Sequence, residues 1–142
     1  MREFDLTGFL PFQLSMAAGR ITKAFAAAHL QQVGLSIPEW RVLAHVAQVG
    51  SASVRDIHAR LDLEKSRVSR TIVRLEEVGY LERRTHAADK RLLDLRLSAQ
   101  GDALMAQLVP AAKAFHAEAV QALGPDGEVL QRVLRQILDL PT

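Results

Sequence analysis

Apolar residues recur every three or four positions along most of the chain, and in one short stretch past its middle the spacing drops to two. A spacing near 3.6 lays apolar side chains along one face of a helix, and a spacing of two lays them on one face of a strand. The predicted fold class is therefore mainly α with a small β-hairpin. Residues 11–33 read as a long helix through Leu14, Ala17, Ile21, Phe25 and Ala28, stopped by Gly34. Leu35-Ser36-Ile37-Pro38 reads as a loop and cap, with Pro at the first position of a second helix that runs through Trp40, Leu43 and Val46 to Val49 and ends at Gly50. Ser53, with Asp56 in capping-box position, opens a short third helix carrying Val54, Ile57 and Leu61. After the break Leu61-Asp62-Leu63, the run from Glu64 to Val78 is strongly amphipathic, with Val68, Ile72, Leu75 and Val78 inward and Gly79 as its stop.

The period then changes. Leu93, Leu95 and Leu97 alternate with Leu92, Asp94 and Arg96, and residues 80–85 supply an opposing strand across the polar tip His86–Lys90. An isolated hairpin is marginal, so this one must lean on the helices. Ser98 caps a long fifth helix through Leu104, Leu108, Phe115 and Ala119, with a kink expected near Pro110, and Gly124-Pro125 separates it from a last helix carrying Leu130, Val133, Leu134, Ile137 and Leu138.

With 142 residues, 49% hydrophobic and 24% charged, the chain has the composition of one globular domain. The absence of cysteine excludes disulfides, thiolate metal sites and cysteine nucleophiles. The amino-terminal Met1-Arg2-Glu3-Phe4-Asp5 carries acids where a signal peptide has bases, and no apolar run reaches the ~18 residues of a membrane span, so a cytoplasmic protein is expected.

Charge points to a partner. From Ser53 to Leu97 there are eleven Lys/Arg against eight Asp/Glu, which leaves seven against eight elsewhere. The exposed face predicted for the fourth helix combines short hydroxyls with guanidinium groups at Ser66, Arg67, Ser69, Arg70 and Arg74, beside Val73 and preceded by Lys65. A short helix, a tight turn, a longer basic helix and then a hairpin is the order of a winged helix-turn-helix, whose second helix lies in the major groove. A groove about 12 Å wide admits one helix, and it demands small hydroxyls for close approach and Arg or Lys for guanine edges and phosphates. Lys65, Ser66, Arg67, Ser69 and Arg70 lie toward the amino-terminal half, Arg74 is placed for a backbone phosphate, and Lys90 and Arg91 at the hairpin tip are placed for an adjacent minor groove.

In residues 35–43, in Ser66-Arg67-Val68-Ser69-Arg70 with residues 75–84, and in Asp89-Lys90-Arg91 followed by Leu95-Arg96-Leu97-Ser98, the sequence resembles the MarR family of transcription regulators. The resemblance runs from Leu14 to about Leu138. It implies a homodimer that presents two winged domains, residues 36–97, to a palindromic operator, with residues 1–35 and 98–142 supplying dimerisation helices. It also implies that Asp89 steadies the wing and that Arg91 enters the minor groove. The apolar termini, with Leu6, Phe9, Leu10 and Phe12 at one end and Leu134, Ile137, Leu138 and Leu140 at the other, suit dimer burial. His58 departs from the family, which more often has Ala there.

Family members commonly respond to small molecules, often anionic aromatic compounds. Arg20, a charge beside the apolar stripe of the first helix, is the candidate clamp for a carboxylate, with Ile37, Trp40, His45 and Phe115 as further lining. The expected function is a repressor released by such an effector, and the alternative is a DNA-binding regulator or architectural protein without one. No cofactor is expected, and the five singly spaced histidines form no local metal signature. An enzyme is not expected, since the chain has no Cys nucleophile, phosphate loop or metal motif.

Overall fold

A computed structural model describes residues 3–85 and 93–141, and the chain forms two compact units, Met1–Leu108 and Val109–Thr142. In the first unit a single 3-10 turn, Leu6–Gly8, precedes α1 (Leu10–Phe25). Then come α2 (Ile37–Val49), α3 (Val54–Leu61), α4 (Lys65–Glu77), β1 (Leu81–Thr85), β2 (Leu93–Leu97) and α5 (Ala99–Ala122), which runs on past the unit boundary. The fold is mainly α with one two-stranded antiparallel hairpin.

The long first helix predicted over 11–33 is not one regular helix. After Phe25 the chain takes a π turn over Ala26–Leu30 and a 3-10 turn over Gln31–Val33. Phe25 and Leu30 are both buried, and residues five apart diverge on an α-helix but come together on the wider π turn, which serves both. Gly34 then stops the helix in the left-handed conformation (φ 71°), and the Leu35 N–H donates back to the Leu30 carbonyl at 3.1 Å. Ser36 caps α2 and Pro38 sits at its second helical position, one later than the sequence suggested.

Apolar side chains of α2, α3, α4 and the hairpin meet in one core, where Val42, Leu43, Val46, Ile57, Val68, Ile72, Leu75 and Leu95 are fully buried. Each such burial contributes roughly 1.5–3 kcal/mol. The hairpin pairs Leu81 with Leu97 and Thr85 with Leu93, and it does lean on the body. Leu81 and Leu95 point into the core, and Ala52 adds a third-strand bridge, exchanging backbone hydrogen bonds with Leu95 at 3.1 and 2.8 Å. At its base the Ser98 hydroxyl donates to the Gly79 carbonyl at 2.5 Å and accepts from the Gly101 N–H at 3.0 Å, joining hairpin, turn and the start of α5.

The second unit holds the carboxy-terminal part of α5, in which Pro110 lies inside the helix, and α6 (Asp126–Leu138). Gly124 (φ 60°) turns the chain between them, and Gly127 is buried against Val120, leaving no room for a side chain. Leu123, Val129, Leu130, Val133, Leu138 and Leu140 are exposed here, as are Phe4, Leu6, Phe9, Leu10, Met16 and Ile21 in the first unit. Single exposed apolar residues are ordinary, but each unit exposes several.

Candidate nucleic-acid interface

The helix-turn-helix is built by local chemistry. Ser53 and Asp56 exchange the two hydrogen bonds of a capping box at the start of α3, at 3.1 and 3.2 Å. These bonds to Ser53 hold the Asp56 carboxyl below its ordinary value. Asp62 ends α3 with φ 50°, a left-handed conformation that Asp tolerates better than most residues, and the chain reverses into α4.

On α4, Val68, Thr71, Ile72 and Leu75 face the core, while Lys65, Ser66, Arg67, Ser69, Arg70, Val73 and Arg74 are exposed. The six polar residues that the sequence assigned to this face thus share one surface, and its core-facing side holds it in place. Neighbouring cations are used internally. Arg83 grips Glu76 through two nitrogens at 2.8 and 3.2 Å, which raises its pKa and ties β1 to α4, and Arg84 pairs with Glu82 at 3.2 Å. Among the described residues Lys65, Arg67 and Arg70 make no ion pair, so α4 presents three unpaired cations within six residues. The Ser66 hydroxyl donates to Glu64 at 3.1 Å.

Two further residues at this site were given no role from the sequence, which named Val73 only as a neighbour on the face. Val73, 48% exposed, is the large apolar residue in the middle of the polar face, in a shallow apolar depression with Ser69, Arg70 and Arg74. Glu39 is buried at the start of α2, where it completes a capping box with Ser36. The signal for that box, Ser-x-x-Glu, stands in the sequence as plainly as the one at Ser53. Asp89, Lys90 and Arg91, the predicted wing residues, lie outside the described residues.

Within the first unit, Arg20, the pair Ile37 and Trp40, and His45 lie in separate places. Arg20 borders an apolar groove of about 480 Å³ with Phe12, Met16 and Ile21 on α1. Trp40 is half-buried and packs on Phe25, ring centres 5.2 Å apart, with Ile37 half-buried at the start of the same helix. His45 is buried and lines a different pocket, about 410 Å³, with Ser51, Asp56 and Arg60. Phe115 is half-buried in the second unit. Among the described residues no three His, Asp or Glu side chains converge as a metal site, and no helix is long and apolar enough to cross a membrane.

Comparison with known proteins places this geometry. The sequence model of the MarR family matches residues 33–92, the stretch from the end of the α1 segment to the hairpin. The HTH-type transcriptional repressor MdtR of Bacillus subtilis (strain 168) is 28% identical over 102 residues, covering 72% of this chain and 65% of that protein. The chain spans between 45% and 65% of the length of the curated relatives it matches. Among solved structures, the MarR family transcriptional regulator SPO1453 from Silicibacter pomeroyi DSS-3 superposes with a TM-score of 0.82 at 27% identity, covering 96% of this chain and 98% of that one. BpsR of Bordetella bronchiseptica, described for regulation of its DNA binding by 6-hydroxynicotinic acid, shares the fold with a TM-score of 0.84 at 22% identity over 97% and 99% of the two chains. Family sequence, helix order and hairpin coincide on the same stretch, and over residues 33–92 the chain is similar to the MarR family.

Proposed function

We propose that the protein is a sequence-specific DNA-binding transcriptional regulator that acts in the cytoplasm as a homodimer on a palindromic operator. The observation that carries this reading is the exposed face of α4, where Lys65, Arg67, Arg70 and Arg74 stand with Ser66 and Ser69 on a helix anchored by Val68, Ile72 and Leu75. Residues 36–97 form the DNA-binding module. Residues 1–35 and 98–142 form the dimer, whose formation covers the exposed apolar residues of α1 and α6. Arg67 and Arg70 contact base edges or flanking phosphates, Arg74 a phosphate, and Lys90 and Arg91 an adjacent minor groove, with Asp89 steadying the wing.

The regulator represses, as the relative MdtR is named to do, by occupying its operator. A small aromatic acid releases it. Arg20 beside the apolar groove on α1 offers a guanidinium for a carboxylate against the apolar walls of Phe12, Met16 and Ile21. The regulation of BpsR by 6-hydroxynicotinic acid makes this the chemical class to screen first. Release requires that the acid bind the conformation that does not fit DNA more tightly than the one that does.

The test is fluorescence anisotropy with duplexes recovered by selection, across a salt series, for wild type, Arg70→Ala and Arg20→Ala. Arg70→Ala is expected to lower affinity and flatten the salt dependence, and Arg20→Ala to keep DNA affinity while losing the response to the acid. Unchanged binding by Arg70→Ala refutes the interface. An unchanged response in Arg20→Ala leaves a DNA-binding regulator whose effector, if any, sits elsewhere.

A further inference from the structure

We infer that Glu39 is a positioning residue for DNA binding, holding Arg74 in the orientation that presents its terminal amines to a backbone phosphate. The inference rests on the DNA-binding reading above and adds to it a residue that lies on α2, outside the helix-turn-helix.

The two carboxylate oxygens of Glu39 have separate tasks. Oε1 accepts the Ser36 N–H at 2.7 Å, closing the capping box, and Oε2 faces Arg74 Nε at 3.4 Å. The Glu39 side chain is 10% exposed and that of Arg74 is 62% exposed. A carboxylate in that position is fixed from behind by the helix start and has no freedom to follow its partner into solvent. Arg74, by contrast, has a long flexible side chain whose ordering would otherwise oppose binding. An ion pair through Nε restrains the guanidinium plane and leaves both Nη groups for an outside acceptor, and among the described residues Arg74 makes no other ion pair. The pair borders a notch of about 370 Å³ between the start of α2 and the face of α4, lined also by Ser36, Pro38, Arg67 and Arg70. Three guanidinium groups around one notch, with one buried carboxylate orienting the nearest of them, suit a single bridging phosphodiester.

The sign of the effect separates this reading from plain electrostatics. Glu39 is a negative charge on a DNA-facing surface, so removing it should strengthen binding if charge alone matters, and should weaken binding if the carboxylate orients Arg74. Glu39→Gln keeps a carbonyl for the Ser36 N–H and removes the ion pair. In the full-length protein on its selected duplex, Glu39→Gln is expected to weaken binding roughly tenfold, as the loss of one charge-assisted contact does. The slope of log affinity against log salt should fall by roughly 0.9 per half-site, the value for one phosphate contact. Arg74→Ala should give the same loss, and Glu39→Gln added to Arg74→Ala should cost nothing more, since the two residues act as one unit.

Arg74→Lys supplies an independent check, because it keeps the charge and removes Nε. It should bind like Glu39→Gln and be insensitive to that second substitution. Tighter binding by Glu39→Gln, an equal effect of Glu39→Gln with and without Arg74, or wild-type binding by Arg74→Lys each overturns the inference while leaving the DNA-binding reading intact. Failure of the wild-type protein to bind any duplex removes that reading itself.

Discussion

Replacing Gly101 by Ala should destabilise the protein even though alanine is the better helix former. Gly101 is buried in the first turn of α5, against the turn that enters the hairpin. A Cβ at this position would overlap the Tyr80 carbonyl oxygen, come within 3.1 Å of the Tyr80 carbonyl carbon and within 3.4 Å of Leu97 Cδ2. The obstacle is backbone on one side and the half-buried Leu97 side chain on the other, so the start of α5 must move away from the hairpin. That movement strains the Ser98 N–H bond to the Tyr80 carbonyl at 3.0 Å and the Ser98 hydroxyl bond to the Gly79 carbonyl at 2.5 Å. Overpacking of this kind costs about 1–3 kcal/mol and each weakened hydrogen bond about 1 kcal/mol. Helix propensity returns at most about 1 kcal/mol. The expected net loss is about 2–4 kcal/mol, a shift of about 1–2 M in a urea midpoint followed by circular dichroism at one fixed protein concentration. Ala103→Gly, at an exposed position on the same helix, is the control and should lose only about 1 kcal/mol. A Gly101→Ala midpoint at or above wild type would refute the packing argument.

Other perturbations have equally definite outcomes. Ile72→Ala removes a fully buried side chain between α4 and the core and should cost about 2–5 kcal/mol in the same denaturation experiment; a loss under 1 kcal/mol would contradict the described core. Asp56→Asn should lower stability at neutral pH by about 0.5 kcal/mol, because the amide oxygen accepts the Ser53 N–H more weakly than the carboxylate and brings no negative charge to the start of α3. Because the folded Asp56 pKa lies below its ordinary 3.8, that contribution is full above 3.8 and is lost as the pH falls through the lowered value, so the two proteins should converge in acid. A difference that stays constant through an acid titration would mean the carboxylate charge is not what stabilises. Val73, exposed among the arginines of α4, should contact a thymine methyl, so replacing one thymine per half-site by deoxyuridine should weaken wild type and leave Val73→Ala unaffected. Equal sensitivity of the two proteins to every such replacement would remove that contact.

What was legible in the sequence was what depends on neighbours along the chain. The apolar period located α2 to α6, the shift to a period of two located the hairpin, and Gly34, Gly50 and Ser53 marked boundaries because caps and left-handed residues act within a few positions. The π turn after Phe25 was not legible, since its hydrogen-bond register follows from burying Phe25 and Leu30 together. Nor was the Glu39 to Arg74 pair, which joins residues far apart in sequence through the packing of α2 on α4. The exposed side of α4 was readable because amphipathic patterning assigns polar residues outward by elimination. A groove is shaped by several elements at once and is not written in any one stretch of chain: His45 lines a pocket with Asp56 and Arg60, apart from the groove beside Arg20.

The central claim is that α4 reads DNA in a symmetric pair, and selection of binding sites from random duplexes by the purified protein tests it most directly. The account predicts an enriched inverted repeat whose half-sites are centred about 34 Å apart, one turn of the double helix, and its loss when Arg70→Ala is used instead. Recovery of no enriched sequence, or of the same sequence with Arg70→Ala, would contradict it.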